Sequence, residues 1–376
     1  MNALLIGKFP PCQGGVSSRY FWLYSALEEN FDFSWHAITI NKIPYITETP
    51  SEVLSKVTVL PSCEPNLPWF IPKVDLMTDR LINTAITLAQ VHKFNFVEVN
   101  YLEPFLCAGW AIAKLFQIPL VVRPAGSDYH KFLTHPQFSS ALKYFLQDSS
   151  MILLPHEKIL DFREKFPQIE NSKISHSERY CPNPNKFCST QRIFKNGMKK
   201  IILLVGKINQ FWYLRRIDLL YDFLRKNPDF VLRCWIDGSH CSEFVKSIEK
   251  HIASRQLEIN IGFIPPNKMP QEIRNSVAVW NYIAPGGIVD FPNTHWETLA
   301  ANRYSIVSSY LLSLPDANDR KCEEFFGLIV NADVWDLKIN VFPDSSCSGE
   351  KIRAYFTSLH DYYIEKEFKA YKGILQ

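Results

Sequence analysis

Residues 2–30, NALLIGKFPPCQGGVSSRYFWLYSALEEN, join a short apolar run, a loop rich in Gly and Pro, and a segment with apolar residues at helical spacing. This order predicts a strand, a loop and a helix. The alternation continues with FSWHAITI, KVTVL, FVEVN and PLVVRPAGSD as strands, and with VDLMTDRLINTAITLAQVHKF and FLCAGWAIAKLF as helices. Strands that alternate with helices in this way predict an α/β fold with a parallel sheet.

The pattern stops at RYCPNPNKFCSTQRIFKNGMKK, which is dense in Pro, Asn and Lys and is interpreted as an interdomain linker. It restarts with KIILLVGKI as a strand and RIDLLYDFLRKN as a helix, followed by the strands FVLRCWIDGS, LEINIGFI and VAVWNYIAP. A chain of 376 residues also favours two domains. We therefore predict two Rossmann-like α/β domains facing across a cleft, residues 1–188 and 189–356, with a helix at 357–376 crossing back to the first.

The composition is that of a globular protein, with 47% hydrophobic and 21% charged residues. A net charge of +3 argues against nucleic acid as a partner. The nine cysteines are odd in number and scattered, with no C-x-x-C pair, which favours a reducing cytosol. No apolar run approaches 18 residues, so we expect a cytoplasmic chain that works in solution or at the inner face of a membrane.

Two loops that follow predicted strands are candidates for phosphate binding. Gly14 and Gly15 precede a helix, where backbone amides and partial positive charge suit a phosphate or sugar oxygen, although a tight turn explains the glycines equally simply. GKINQFWYLRRID carries Lys207, Arg215 and Arg216, and two or three cations on a glycine loop can neutralise a diphosphate without a metal. The alternative for these cations is a solvated basic helix face. No dinucleotide-binding or P-loop motif is present.

The stretch RPAGSDYH ends a predicted parallel strand, where open α/β sheets place their ligands. Ser127 and Asp128 are candidates for orienting a hydroxyl-rich substrate, and His130 for relaying a proton. A buried Asp128 that caps the next helix, and a His130 that packs or lies at the surface, are the alternatives.

The stretch GGIVDFPNTHWETLA predicts a helix that begins near Asn293 or Thr294, with Glu297 one turn in. The free amides at that helix start would face a ligand. Thr294 and Glu297 also have the spacing of a capping box, in which the glutamate reaches back to the cap's own amide. Local sequence leaves both roles open for Glu297.

Seven stretches, taken together and in order, resemble motifs of the retaining GT-B-fold glycosyltransferases of family 4. The resemblance covers almost the whole chain. Its most specific part is the last stretch, which is similar to E-G-F-P-N-x-x-L-E-A-M-A-x-G-x-P-V-V-A-S. The stretches are GGVSSRYFWLYSAL, RPAGSD, CPNPNKF, GKI with RRIDLL, WIDGS, IGFIPPNKMPQEIRNSVAVW and VDFPNTHWETLAANRYSIVSS.

This resemblance implies transfer of a sugar from a nucleotide-diphosphate sugar, with UDP- and GDP-sugars foremost, to a glycan, lipid-linked or other acceptor. It further implies retained anomeric configuration, no metal and no other cofactor. Lys207 and Arg215 would hold the diphosphate, and Glu297 would grip the ribose hydroxyls. The implied donor-binding residues are Gly14, Gly15, Lys207, Arg215, Phe291, Asn293, Thr294 and Glu297. The candidate catalytic residues are Glu297, Asp290 and Asp128.

Two positions depart from the family pattern. Val289 stands where the family has the first of two acids eight positions apart, and Asp290 is the candidate substitute. Ala125 stands where the family has a histidine that touches the donor sugar. Three interpretations remain open: an active transferase with an unusual donor site, a non-catalytic relative that binds a nucleotide-sugar or a partner protein, and a relative that acts as phosphorylases and epimerases do.

The acceptor is expected on the first domain. EPNLPWFIPKVD, residues 64–75, is a Pro-rich aromatic loop with a lysine that would dock a lipid-linked or polysaccharide acceptor at a membrane surface. A loop packed against its own domain is the alternative.

Overall fold

The computed structural model describes residues 1–12, 14–41, 51–62, 76–102, 104–125, 128–178, 180–189, 199–262, 264–286, 292–314, 328–334 and 349–375. The chain divides into two compact units. The first comprises Met1–Cys12, Val16–Tyr180 and Tyr362–Gln376, and the second comprises Gln13–Gly15 and Cys181–Asp361. The predicted domain bounds, 1–188 with 357–376 and 189–356, stay predictions.

The first unit contains a parallel sheet with the strand order β3-β2-β1-β4-β5-β6-β7. The strands are β1 (Asn2–Gly7), β2 (Ser34–Asn41), β3 (Val57–Pro61), β4 (Phe96–Asn100), β5 (Leu120–Arg123), β6 (Met151–Leu154) and β7 (Ile174–His176). The connecting helices are α1 (Gly15–Asn30), α2 (Ser51–Leu54), α3 (Leu76–Ala89), α4 (Phe105–Phe116), α5 (Asp128–Leu133), α6 (Pro136–Asp148) and α7 (His156–Lys165), with a short 3-10 helix at Asn171–Lys173.

The hydrophobic core of the first unit lies at the centre of this sheet. In register, Leu4 of β1 lies beside His36 of β2 and beside Val97 of β4. β4 and β5 are buried along their whole length, as expected for parallel strands covered by helices on both faces.

The second unit contains a parallel sheet with the order β10-β9-β8-β11-β12-β13. The strands are β8 (Lys200–Lys207), β9 (Phe230–Asp237), β10 (Leu257–Ile261), β11 (Ala278–Trp280), β12 (Tyr304–Val307) and β13 (Ile329–Asn331). The helices are α8 (Pro184–Phe187), α9 (Tyr221–Lys226), α10 (Cys241–Glu249), α11 (Met269–Arg274), α12 (Asn293–Ala300), α13 (Ser309–Leu312) and α14 (Gly349–Ile374), and 3-10 helices span Trp212–Arg215, Ile217–Leu220 and Ser254–Gln256.

Two parallel-sheet α/β domains confirm the predicted fold class. The last helix, α14, begins in the second unit, whereas Tyr362–Gln376 belongs to the first, so the predicted crossing back is also confirmed. None of the helices in the described part of the chain is long and apolar enough to cross a bilayer.

The helix predicted for RIDLLYDFLRKN differs from the structure. The segment forms a 3-10 helix at Ile217–Leu220 before α9 begins at Tyr221. Arg216 has a φ of 45°, and this left-handed residue separates Ile217–Leu220 from the preceding 3-10 helix, Trp212–Arg215. Residues 217–226 are thus helical throughout, first as a 3-10 helix and then as α9, and the left-handed Arg216 stands just before them.

Each sheet has one position where the chain order reverses, between β1 and β4 in the first and between β8 and β11 in the second. Open α/β sheets bind their ligands outside the carboxyl ends of the strands at such a switch point. The loops after these four strands are therefore the first places to look for a site.

Candidate active site

The loop after β8 carries two cationic side chains at the switch point of the second sheet. β8 ends at Lys207, and Arg215 is the last residue of the 3-10 helix in that loop. Arg215 Nη2 donates to the carbonyl oxygen of Lys207 at 3.1 Å, and Nη1 to that of Val205 at 3.5 Å. Gly206 lies against the guanidinium, because a Cβ there would come within 2.8 Å of Arg215 Nη2.

Among the described residues, no carboxylate pairs with Lys207 or Arg215, and the guanidinium of Arg215 donates to carbonyl oxygens. Lys207 is exposed. Burial lowers the pKa of Arg215 to about 10, with Cys234 acting weakly in the opposite sense, so the guanidinium stays charged at pH 7. Charged donors held on neutral carbonyls suit an anion such as a diphosphate.

Arg216, the third cation predicted for this loop, is engaged otherwise. Its Nε and Nη2 donate to the carboxylate of Asp218 at 3.0 and 2.9 Å. The backbone of Arg216 is left-handed, with a φ of 45°, and Asp218 lies two residues on. Phosphate binding by Lys207 and Arg215 stays a prediction, and Arg216 is paired with Asp218 in the structure.

The predicted glycine loop groups with the second unit at Gly14 and Gly15. Asn293 Nδ2 donates to the carbonyl oxygen of Gly15 at 2.8 Å. A Cβ on Gly15 would lie 3.2 Å from Asn293 Nδ2, and a Cβ on Gly14 would lie 4.0 Å from Lys207 Cε. The structure thus brings together four predicted donor-binding residues, namely Gly14, Gly15, Lys207 and Asn293.

Helix α12 begins at Asn293, with Pro292 as an extended N-cap residue that makes no side-chain cap hydrogen bond. The His295 N–H donates to the carbonyl oxygen of Pro292 at 3.0 Å. The aligned amides of a helix's first turn give this end of the helix partial positive charge, which attracts anions. Thr294 is the second helical residue, and its Oγ1 donates to Asn281 Oδ1 at 2.6 Å.

The capping-box interpretation of Glu297 is therefore wrong, because Thr294 does not occupy the N-cap position. The N-cap position is occupied by Pro292, two residues before Thr294, and its backbone is extended. Glu297 is buried in the fifth position of α12, 2% exposed. Its role toward ribose stays a prediction. Val289, Asp290 and Phe291 lie outside the described residues, as does the acceptor loop 64–75.

Asp128, the third candidate catalytic residue, belongs to the first unit and begins α5. Its carboxylate accepts hydrogen bonds from the backbone N–H groups of Leu102 at 2.9 Å, Ala125 at 3.3 Å and Tyr129 at 2.8 Å. Burial raises the pKa of Asp128 to about 6, and these three backbone bonds offset part of that effect. These contacts agree with the alternative interpretation of Asp128, a buried residue at the start of the next helix. A catalytic role for Asp128 stays a prediction.

His130 lies on α5 near an acid. Its Nε2 is 3.3 Å from Asp161 Oδ2, and its ring packs on Tyr129 with centroids 4.2 Å apart. Burial lowers the pKa of His130, with Asp161 acting in the opposite sense. These are the contacts of a half-exposed, packed histidine. Ser127 lies outside the described residues.

Sequence reasoning missed a buried ionic cluster around Arg123 in the first unit. Arg123 Nε donates to Glu98 Oε1 at 2.9 Å, and Nη2 donates to Glu367 Oε2 at 2.7 Å. Nη2 also donates at 2.8 Å to the hydroxyl of Tyr371, which donates to Glu98 Oε2 at 2.7 Å. Glu367 and Tyr371 lie on α14, so the cluster fixes the last helix to the first sheet.

A signal for this cluster was present in the sequence. Glu98 interrupts the apolar run FVEVN, and Arg123 ends PLVVR, although parallel strands buried on both faces seldom carry charges. Opposite charges on neighbouring buried strands indicate an ion pair.

No protein-family model matches the chain, and no curated protein matches its sequence significantly. Solved structures match its fold over nearly its full length. Sucrose-phosphate synthase from Thermosynechococcus elongatus has a TM-score of 0.60 at 12% identity, covering 100% of this chain and 99% of that chain. Anabaena HepE in complex with UDP-glucose has a TM-score of 0.54 at 12% identity, covering 97% and 91%. A glycosyltransferase from Rickettsia africae has a TM-score of 0.56 at 12% identity, covering 100% and 98%.

These likenesses define the class of fold: the chain has the GT-B fold found in nucleotide-sugar glycosyltransferases.

Proposed function

We propose that the chain is a nucleotide-sugar-dependent glycosyltransferase, with the donor diphosphate bound at the switch point of the second sheet. One observation carries the proposal. Lys207 and Arg215, without carboxylate partners among the described residues, lie on one loop, where Lys207 adjoins Gly14, and Asn293 at the start of α12 donates to the carbonyl oxygen of Gly15. Two cations and a helix N-terminus suit a diphosphate.

In the proposed reaction the bond between the sugar C1 and the β-phosphate oxygen breaks, and the nucleoside diphosphate leaves with the electron pair. The acceptor hydroxyl oxygen bonds to C1, and its proton passes to the departing phosphate or to water. Lys207 and Arg215 stabilise the charge that builds on the leaving diphosphate, which is the part of the barrier such preorganised donors lower most. We propose that no metal is required and that C1 keeps its configuration.

Glu297 is the proposed ribose ligand, and Asp290 the proposed substitute for the acid missing at Val289. A UDP- or GDP-sugar is the proposed donor, which the UDP-glucose in Anabaena HepE supports for uridine. The acceptor is proposed to be a glycan or lipid-linked molecule, met at the inner face of the membrane.

The proposal is tested by incubating the purified chain with UDP-, GDP- and ADP-sugars, with and without EDTA, and following the released nucleotide. We expect slow donor hydrolysis with one sugar nucleotide, unaffected by EDTA and abolished by Glu297→Ala. Proton NMR of the released sugar would show the donor's own anomer first. A panel without turnover or binding, or first formation of the opposite anomer, contradicts the proposal.

A catalytically inactive, nucleotide-sugar-binding relative is the second candidate, favoured by Val289 and Ala125 in place of the family's acid and histidine. It predicts that a sugar nucleotide raises the melting temperature while no donor is turned over. Turnover that Glu297→Ala abolishes excludes it.

A further inference from the structure

The end of β11 contacts two parts of the proposed phosphate site, the segment that carries Arg215 and the start of α12. Trp280, the last residue of the strand, is 1% exposed, and its indole Nε1 donates to the carbonyl oxygen of Arg215 at 2.7 Å. A second bond reinforces this one, since the Ala284 backbone N–H donates to the Leu214 carbonyl oxygen at 2.9 Å. The segment that carries the guanidinium is therefore tied to the neighbouring strand.

The next residue, Asn281, is tied to the start of α12. It is buried, its Oδ1 accepts from Thr294 Oγ1 at 2.6 Å, and its Nδ2 donates to Ser305 Oγ at 2.9 Å. The backbone N–H of Asn281 donates to the carbonyl oxygen of Ile306 at 2.8 Å. The backbone of Asn281 is therefore held by β12, while its side chain contacts α12. Ser305 Oγ is also 2.8 Å from His295 Nδ1 on α12.

We propose that Trp280 and Asn281 are positioning residues that set Arg215 and the start of α12 in register with one another around the donor diphosphate. This inference rests on the proposed function. Successive residues of a strand point to opposite sides, and here one reaches the arginine segment and the other reaches Thr294. Neither side chain needs to touch the ligand, because each acts through a group that does.

The physical reason is preorganisation. A diphosphate binds most tightly when its hydrogen-bond donors are already in position, and displacing one donor weakens the binding of the ligand. Both tethers come from one buried strand end in the middle of the sheet. Two hydrogen bonds from adjacent residues therefore link the backbone of Arg215 to Thr294 of α12.

The first test is isothermal titration of UDP into the full chain and its Trp280→Phe variant, which keeps an aromatic ring and removes the N–H donor. We expect about fivefold weaker UDP binding by the variant, from loss of one neutral hydrogen bond. Trp235→Phe is the matched control, because the buried indole N–H of Trp235 has no hydrogen-bond partner among the residues that the structure describes. This control should bind UDP as the wild type does.

A double-mutant cycle separates positioning from general destabilisation. If Trp280 acts through Arg215, Trp280→Phe has no further effect on UDP affinity in an Arg215→Ala background. An equal loss in both backgrounds, or wild-type affinity of a folded Trp280→Phe chain, overturns the inference.

Asn281→Ala tests the second tether and carries the test alone if Trp280→Phe does not fold. We expect about fivefold weaker UDP binding, from loss of the hydrogen bond to the helix start, and no further loss when Thr294→Val is added. Wild-type affinity of a folded Asn281→Ala chain overturns the inference. Absence of UDP binding by the wild type instead contradicts the proposed function, so the two failures are distinguishable.

Discussion

Arg123 in the first unit and Arg215 in the second are both partly or fully buried arginines at the carboxyl end of a parallel sheet, yet their partners differ. Arg123 is 2% exposed and bound by Glu98 and Glu367. Burial alone would lower its pKa, but these two carboxylates raise it well above the ordinary value. In the described part of the chain Arg215 donates to carbonyl oxygens and to no carboxylate, and burial lowers its pKa to about 10.

The difference separates two uses of a cation. A buried guanidinium matched by carboxylates holds elements together, as Arg123 holds α14 to the first sheet. A guanidinium that donates to neutral carbonyl oxygens has no counter-charge from them, so its positive charge can attract an anionic ligand. We therefore expect replacement of Arg123 to change stability, and replacement of Arg215 to change ligand binding.

The largest effect is expected from Arg123→Met, which leaves Glu98 and Glu367 buried without their counter-charge. Breaking a buried pair in this way should lower the free energy of unfolding by about 3–5 kcal/mol, measured by urea denaturation. The control is the triple variant Arg123→Met, Glu98→Gln, Glu367→Gln, which should recover part of the loss. Equal stability of the single variant and the wild type would contradict the structural role of the cluster.

The next effect concerns pH and Asp128. Its folded pKa of about 6 lies above the ordinary 3.8, so the native state binds the proton more tightly than the unfolded state does. This contribution is fully present below pH 3.8 and is lost as pH rises through 6. Relative to Asp128→Asn, which does not titrate, the wild type should lose about 2–3 kcal/mol of unfolding free energy between pH 4 and pH 7. Parallel stability curves for the two proteins would contradict this account.

A smaller effect is expected from Gly206→Ala. Gly206 has a φ of 135°, and its added Cβ would meet the Arg215 guanidinium at 2.8 Å. We expect a loss of about 2 kcal/mol of unfolding free energy from backbone strain, together with weaker UDP binding, because the guanidinium must move. The nearby Gly14→Ala variant, with its closest described atom at 4.0 Å, provides the steric comparison. Unchanged UDP affinity of Gly206→Ala would show that the guanidinium position does not matter.

The smallest effect is expected from Arg216→Ala, which removes an exposed ion pair with Asp218. Such pairs contribute about 0–1 kcal/mol, and the variant retains a Cβ at the left-handed position. Stability and UDP affinity should both stay near those of the wild type. A marked loss of UDP binding would restore Arg216 to the phosphate site.

The sequence predicted the fold because strand and helix periodicity is local, and the alternation from Asn2 to Arg123 contains all the information needed for a parallel sheet. The site was only partly predictable. Arg215 and Arg216 are adjacent and chemically equal in sequence, and only the left-handed backbone at Arg216 separates them.

Two further features depended on long-range structure. Glu367 joins Arg123 from 244 positions away, which no local pattern reports. Sequence left a capping box open at Thr294, but Pro292 occupies the N-cap position and the Thr294 hydroxyl donates to Asn281, 13 positions earlier.

The central claim is that the second unit binds a nucleoside diphosphate through Lys207 and Arg215. Titration of UDP into the wild type, Arg215→Ala and Arg216→Ala at constant ionic strength tests it most directly. We expect the wild type and Arg216→Ala to bind UDP. Arg215→Ala should bind UDP at least about tenfold more weakly, because charge-assisted hydrogen bonds contribute about 1.5–3 kcal/mol. Equal UDP affinity of Arg215→Ala and Arg216→Ala would contradict it.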